Sequence, residues 1–164
     1  MLHQHKRSKK SKSDDWWTPK KVFKKLCKMY NFYPILDAAA SNRNSLCKWY
    51  IDRHTNALVI DWMVKGKKVL VWLNPPNKQL GKFIARTYQQ FTDHGIKTMM
   101  IVPLNVQSSK SWWRNVQEPK ERGERIFVRP IEGRIPFKNH GYGSQSSING
   151  YCVVIFGRRN KCTA

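Results

Sequence analysis

Acids are scarce in this chain, no cysteines are paired at metal-binding spacing, and long apolar runs are missing. Nothing approaches the roughly 18 consecutive apolar residues of a membrane span, and the N-terminus lacks the apolar core of a signal peptide, so a soluble intracellular protein is expected. Cys27, Cys47, Cys152 and Cys162 form no CxxC pair, and His3, His5, His54, His94 and His140 are scattered. That pattern argues against a zinc site or any other metal centre and for reduced thiols in the core or at the surface. There is no internal repeat, and no linker after residue 14. A length of 164 residues, 40% of them hydrophobic and 12% aromatic, fits one domain with a core, neither a two-domain enzyme nor a disordered chain.

What is abundant is positive charge. Lys and Arg number 31 against 10 Asp and Glu, a formal net charge of +21. Residues 1–13 carry five of those cations, Lys6, Arg7, Lys9, Lys10 and Lys12, without an acid, and read as an unfolded basic tail. The remaining +16 belongs to residues 14–164, the expected folded domain. A body this basic points to a polyanion, most commonly nucleic acid, bound in a salt-sensitive way through release of condensed counterions. A membrane surface fits less well, because the Lys-rich helix described next has no Trp or Leu insertion face.

Thr18-Pro19 reads as a helix start, with the Thr hydroxyl as cap and Pro at the first helical position. The helix is expected over 19–30: Val22, Phe23, Leu26, Cys27 and Tyr30 recur at helical spacing, and Lys20, Lys21, Lys24, Lys25 and Lys28 take the other side. Residues 34–40 read as a short buried strand entering a turn that Asn42 and Asn44 continue. The stretch 45–67 has no clear pattern. Val69 to Leu73 is an apolar run typical of a strand covered on both faces, stopped by Asn74-Pro75-Pro76 because consecutive prolines cannot donate to a sheet ladder. Leu80, Phe83, Ile84, Tyr88 and Phe91 mark an amphipathic helix ending near Gly95, and Met99 to Val102 is the next strand.

This alternation predicts an α/β fold with a mostly parallel sheet and helices on both faces. Residues 125–129, 133–137 and 150–156 are β-like and predict an antiparallel C-terminal strand pair closing one side. In open α/β sheets ligands bind beyond the strand C-termini, where strand order reverses. That rule selects Asp37 with Ala38 to Ser41, and Asn74 to Asn77.

The Asn74 carboxamide oxygen and the ring-held carbonyl of Pro75 can converge on one exocyclic amine of a nucleobase. Fixed acceptors for both N–H groups favour a tetrahedral, nucleophilic nitrogen and stabilise the positive charge it gains while attacking a methyl group. The matching donor is S-adenosylmethionine, whose sulfonium makes transfer an in-line displacement governed by positioning. Asp37, with Ala38 and Ala39, suits the methionine portion or ribose, and Asp61 suits the donor adenine amine with Trp62 flanking the ring. Blander readings stay open at each position: Asn-Pro-Pro as a plain turn, Asp37 as a cap for the following turn, Asp61 as a surface or helix-capping carboxylate, and Trp62, Trp112 and Trp113 as core or interface residues.

Taken in order, Trp17-Thr18-Pro19, Leu36-Asp37-Ala38-Ala39 with Asn42 or Asn44, Ala57-Leu58 before Asp61-Trp62, and Val71-Trp72-Leu73-Asn74-Pro75-Pro76 resemble the DNA N6-adenine methyltransferases of bacteriophages. Ile101-Val102-Pro103-Leu104, Ser109 to Trp113, Gly133-Arg134-Ile135 with Phe137, and Phe156-Gly157 continue the resemblance, which covers nearly all of 15–157. It implies a Rossmann-like class I methyltransferase that takes S-adenosylmethionine and flips adenine out of DNA. Thr18, Pro19 and Asp37 would border the donor, Asp61 would contact its adenosine, and Asn74 to Pro76 would hold the target amine. One departure stands out: the family usually has an aromatic residue directly after Asn-Pro-Pro, stacking on the flipped base, and here that residue is Asn77. Stacking is worth about 1–3 kcal/mol per base, so another ring is needed, and Trp112, Trp113 and Phe137 are the candidates. The family's glycine-rich donor loop is missing too, and the turn after Asp37 takes its place. Methylation of cytosine N4 and a catalytically silent DNA-binding protein are the alternatives. Target sequence and oligomeric state are not legible.

Overall fold

A computed structural model of the chain describes residues 16–139, 143–147 and 149–158. The basic tail expected over 1–13, and Cys162, lie outside them. Chain order runs β1 (Trp16–Trp17), α1 (Lys20–Tyr30), β2 (Leu36–Asp37), β3 (Trp49–Tyr50), β4 (Met63–Val64), β5 (Lys67–Lys68), β6 (Val71–Leu73), α2 (Leu80–His94) and β7 (Thr98–Pro103). It continues with α3 (Lys110–Trp112), a π turn, α4 (Glu118–Glu121), β8 (Ile126–Pro130), β9 (Pro136–Asn139), β10 (Gly143–Ser146) and β11 (Tyr151–Phe156).

The central sheet has strand order β3-β2-β6-β7-β11-β8. β3, β2, β6 and β7 are mutually parallel, whereas β11 runs antiparallel to both β7 and β8. Period-two alternation gives the sheet two apolar faces. Val71, Leu73, Met100, Val102, Val154 and Phe156 pack with Phe83 and Ile84 of α2 and with Trp112 and Val116. Trp72, Met99, Ile101, Val153 and Ile155 pack with Leu26 and Tyr30 of α1 and with Ile135 and Phe137. Coverage on both sides explains why Val71-Trp72-Leu73 is uniformly apolar. On the α1 side, Phe23 meets Trp72 edge-on, with ring centroids 5.0 Å apart.

Helix α2 stops where its sequence suggests. Gly95 adopts φ 67° and donates to Phe91 O, and Ile96 donates to Gln90 O, a Schellman-type end that favours glycine. The start of α1 differs from expectation. Pro19 is the extended cap residue, its carbonyl accepting from Phe23, and Thr18 supplies no side-chain cap; its hydroxyl is buried without a partner. Residues 133–137 differ as well. Pro136–Asn139 leaves the main sheet to form a second, antiparallel one in the order β1-β9-β10, opposing Trp16 to Asn139 and Trp17 to Lys138. The patternless stretch 45–67 holds edge strand β3 and, running on to Lys68, the hairpin of β4 and β5, each strand two residues long and too short for a period to show.

Candidate active site

The chain leaves β2, adds β3 on one side and returns to place β6 on the other, so strand order reverses beside β2. A cavity of about 830 Å3 opens there, in the size range of small-molecule sites. Its wall comes from the segments that follow three parallel strands: Ala38 to Asn44 after β2, Ile51 to His54 after β3, and Asn74 to Asn77 after β6. Trp16, Phe137 and Tyr151 close one side.

The loop after β2 is held in shape by its own polar groups. Asp37 is buried, and its two oxygens accept from Ala39 N at 3.3 Å and Leu46 N at 3.2 Å, tying together both ends of the loop. Burial pushes its carboxyl up to about 6, against the pull of those two backbone bonds. Further along, Asn44 Oδ1 accepts from Ser41 N at 2.7 Å and from Ser41 Oγ at 2.9 Å. Asp37 therefore does not line the cavity. It shapes the loop whose small side chains, Ala38 to Ser41, do.

Asp52, two residues past β3, lines the cavity. Its Oδ1 accepts from Thr55 N at 2.8 Å and His54 N at 3.0 Å, and these bonds hold its carboxyl below the usual range. Among the described residues it is the one acid on a cavity lining that also carries Arg43 and Arg53. Sequence reasoning passed over it because β3 was not seen. The available signal was Trp49-Tyr50-Ile51, a β-prone triplet, with an acid directly after it.

Asn74 sits at the end of β6, half-buried, and its Nδ2 donates to Trp16 O at 3.0 Å. A carbonyl accepts only from the amide nitrogen, so this bond decides which end of the carboxamide is which: the nitrogen faces β1 and Oδ1 is the end left to accept. Pro75 and Pro76 follow on the cavity wall, and exposed Asn77 begins a short 3-10 turn, Asn77–Gln79.

Several expected residues lie elsewhere. Trp62 is fully buried, with Nε1 bonded to Ala57 O at 2.8 Å and N to Gln90 Oε1 at 2.9 Å; it braces Ala57, which lines the cavity, and cannot flank a ligand. Asp61 faces α2, where Arg86 Nη2 at 3.3 Å, His94 Nε2 at 3.2 Å and Gln90 Nε2 at 3.1 Å surround its Oδ1. Trp112 is buried in the α2-side core and Trp113 is exposed outside the cavity. Thr18 and Pro19 lie outside the lining, although Trp16, two residues before Thr18, is part of it. Asn74 to Asn77, Ala38, Ala39 and Phe137 are brought together. Among the described residues no three His, Cys, Asp or Glu side chains gather as metal ligands would, and no helix is long and apolar enough to cross a membrane.

Comparison with known proteins identifies the family of the chain. The sequence model of a family described as DNA N-6-adenine-methyltransferase (Dam) matches residues 5–162. A DNA N-6-adenine-methyltransferase of Haemophilus phage HP1 is 31% identical over 155 residues, 91% of this chain and 82% of the relative. One from Escherichia phage T1 is 33% identical over 105 residues, 64% of this chain and 41% of that longer protein.

Proposed function

The chain belongs to the DNA N-6-adenine-methyltransferase (Dam) family, and from that premise we propose how its cavity methylates adenine N6 in DNA. Family membership sets aside cytosine N4 and the catalytically silent DNA-binding protein as readings. The observation that carries the mechanism is one cavity lined both by Asn74-Pro75-Pro76 and by the loops after β2 and β3.

The target adenine enters from DNA, flipped out of the helix, and its amine meets Asn74 Oδ1 and the Pro75 carbonyl. These two acceptors hold both N–H groups, draw the nitrogen lone pair out of conjugation and stabilise the positive charge that grows as the C–N bond forms. Trp16 O keeps the Asn74 nitrogen turned away, so no donor competes for the amine. The surplus proton leaves N6 to solvent. S-adenosylmethionine, when bound, supplies a methyl on a sulfonium, and its thioether is the leaving group.

The residues present fit that donor. Small side chains at Ala38 to Ala40 let a ligand approach the backbone closely, as a glycine-rich loop does elsewhere, and Asp52 offers an ionised acceptor for a ribose diol at the end of the second parallel strand. Strand order and the place of the cavity support reading the chain as a Rossmann-like methyltransferase with a single catalytic domain. DNA phosphates would be met by the exposed lysines of α1, Lys20, Lys21, Lys24, Lys25 and Lys28, together with the basic residues 1–13. Phage-encoded relatives support action on DNA inside an infected cell. The test is transfer of labelled methyl from S-adenosylmethionine to unmethylated DNA, followed by nucleoside digestion: label in N6-methyladenine is expected, and label elsewhere or none refutes the reading.

A further inference from the structure

The mechanism leaves the faces of the target base unheld, because Asn77 carries no ring. Among the described residues, the Trp, Tyr and Phe side chains on the cavity are Trp16, Tyr50, Phe83, Phe137 and Tyr151. Tyr50 ends β3, two residues from Asp52, and so belongs to the ribose side. Phe83 and Phe137 are 6% and 4% exposed, too sunk in the two apolar cores to offer a face. Trp16 and Tyr151 are only half-buried and line the cavity.

Both belong to the framework around Asn74, Trp16 by a direct hydrogen bond and Tyr151 through the sheet. Trp16 takes its amide through the main-chain carbonyl. Tyr151 opens β11 opposite Pro103 of β7, the strand beside β6, and Asn74 directly follows β6. Phe137 packs against Tyr151 with centroids 4.9 Å apart at 55°, and its strand β9 pairs with β1. One small sheet thus carries Trp16 and buttresses Tyr151. We infer that Trp16 and Tyr151 are the base-holding aromatic residues, supplying the stacking that Asn77 cannot, with Phe137 as the positioning residue behind Tyr151. This rests on the mechanism proposed above.

The experiment measures kcat/KM on unmethylated plasmid DNA for the full chain carrying Tyr151→Leu, Trp16→Leu, Tyr151→Phe or Trp16→Phe. Donor affinity and thermal melting are followed for each. The leucine variants should lose about tenfold to a hundredfold, the worth of one stacked base. Ring-keeping variants should lose no more than about threefold, with S-adenosylmethionine affinity retained throughout. Asn77→Tyr added to either leucine variant should recover most of the loss. On the unmutated chain, DNA bearing azidoadenine at the mapped target position should crosslink to peptides containing Trp16 or Tyr151, which keeps the inference testable even if a leucine variant fails to fold. Folded leucine variants as active as their phenylalanine counterparts, parallel loss of donor affinity, or crosslinks confined to other peptides would overturn it. An unmutated chain that transfers nothing to adenine refutes the mechanism above instead.

Discussion

Replacing Asn74 separates two tasks of one side chain. Its nitrogen is committed to Trp16 O at 3.0 Å, so its oxygen is the acceptor offered to the adenine amine. Asn74→Ala removes both. Losing one preorganised group aimed at developing charge costs about 2.7–4 kcal/mol, so kcat should fall about 10²- to 10³-fold. Asn74→Asp keeps an acceptor for the amine but sets a carboxylate oxygen against the Trp16 carbonyl, acceptor facing acceptor. A lost hydrogen bond that leaves its partner unsatisfied costs about 1–3 kcal/mol, a loss of about 5- to 150-fold, which places this variant between Ala and the natural residue. Protonation of the introduced acid restores a donor to Trp16 O, so the Asp variant alone should gain relative activity as pH falls. The assay is single-turnover transfer of tritiated methyl groups to DNA, with donor affinity measured by calorimetry as control. An Ala variant retaining more than about a tenth of the rate contradicts the proposed clamp. An Asp variant matching the natural residue contradicts the orienting role of Trp16.

Three other outcomes are expected. Asp52→Ala should weaken S-adenosylmethionine binding about tenfold, the loss of a charge-assisted hydrogen bond, while Asp61→Ala should leave it unchanged; calorimetry on both decides between the carboxylate on the cavity and the one on α2. Lys20, Lys21 and Lys24 changed together to Gln should raise KM for DNA and reduce the log–log salt slope by up to about 2.7, whereas an unaltered slope would remove α1 from the DNA surface. Asp37 titrates near 6 when folded against an ordinary 3.8, so the folded state binds its proton more tightly. Its contribution to stability is complete below about pH 4, is lost as pH rises to about 6 and stays constant above, on the order of 3 kcal/mol in all. Thermal melts of the natural chain and of Asp37→Asn should diverge over that window, and parallel profiles would refute this.

What could be read locally was read well. Leu80 to Phe91 repeat at helical spacing and Gly95 ends them, and both signals act within a few residues, so α2 follows from the sequence alone. Val71-Trp72-Leu73 before two prolines likewise declares a doubly covered strand with Asn74 at its rim. Asp61 and Trp62 show the limit. A carboxylate beside an indole has the right chemistry for an adenine, yet Gln90 and Ala57 claim both residues for packing, and those partners lie 28 residues ahead of Trp62 and five behind it.

The sequence by itself determined α1, α2 and the apolar strands β6 and β7, the charge, and the chemistry available at Asn74-Pro75-Pro76, because periodicity and proline geometry operate over neighbouring residues. Only the tertiary structure decided who shares the cavity with them. Asp52 arrives because β3 joins β2 at the sheet edge, Trp16 because β1 pairs with β9, and Tyr151 because β11 turns back along β7. Lateral strand order follows from burying two apolar faces at once, a condition on the whole chain that no short stretch of it expresses.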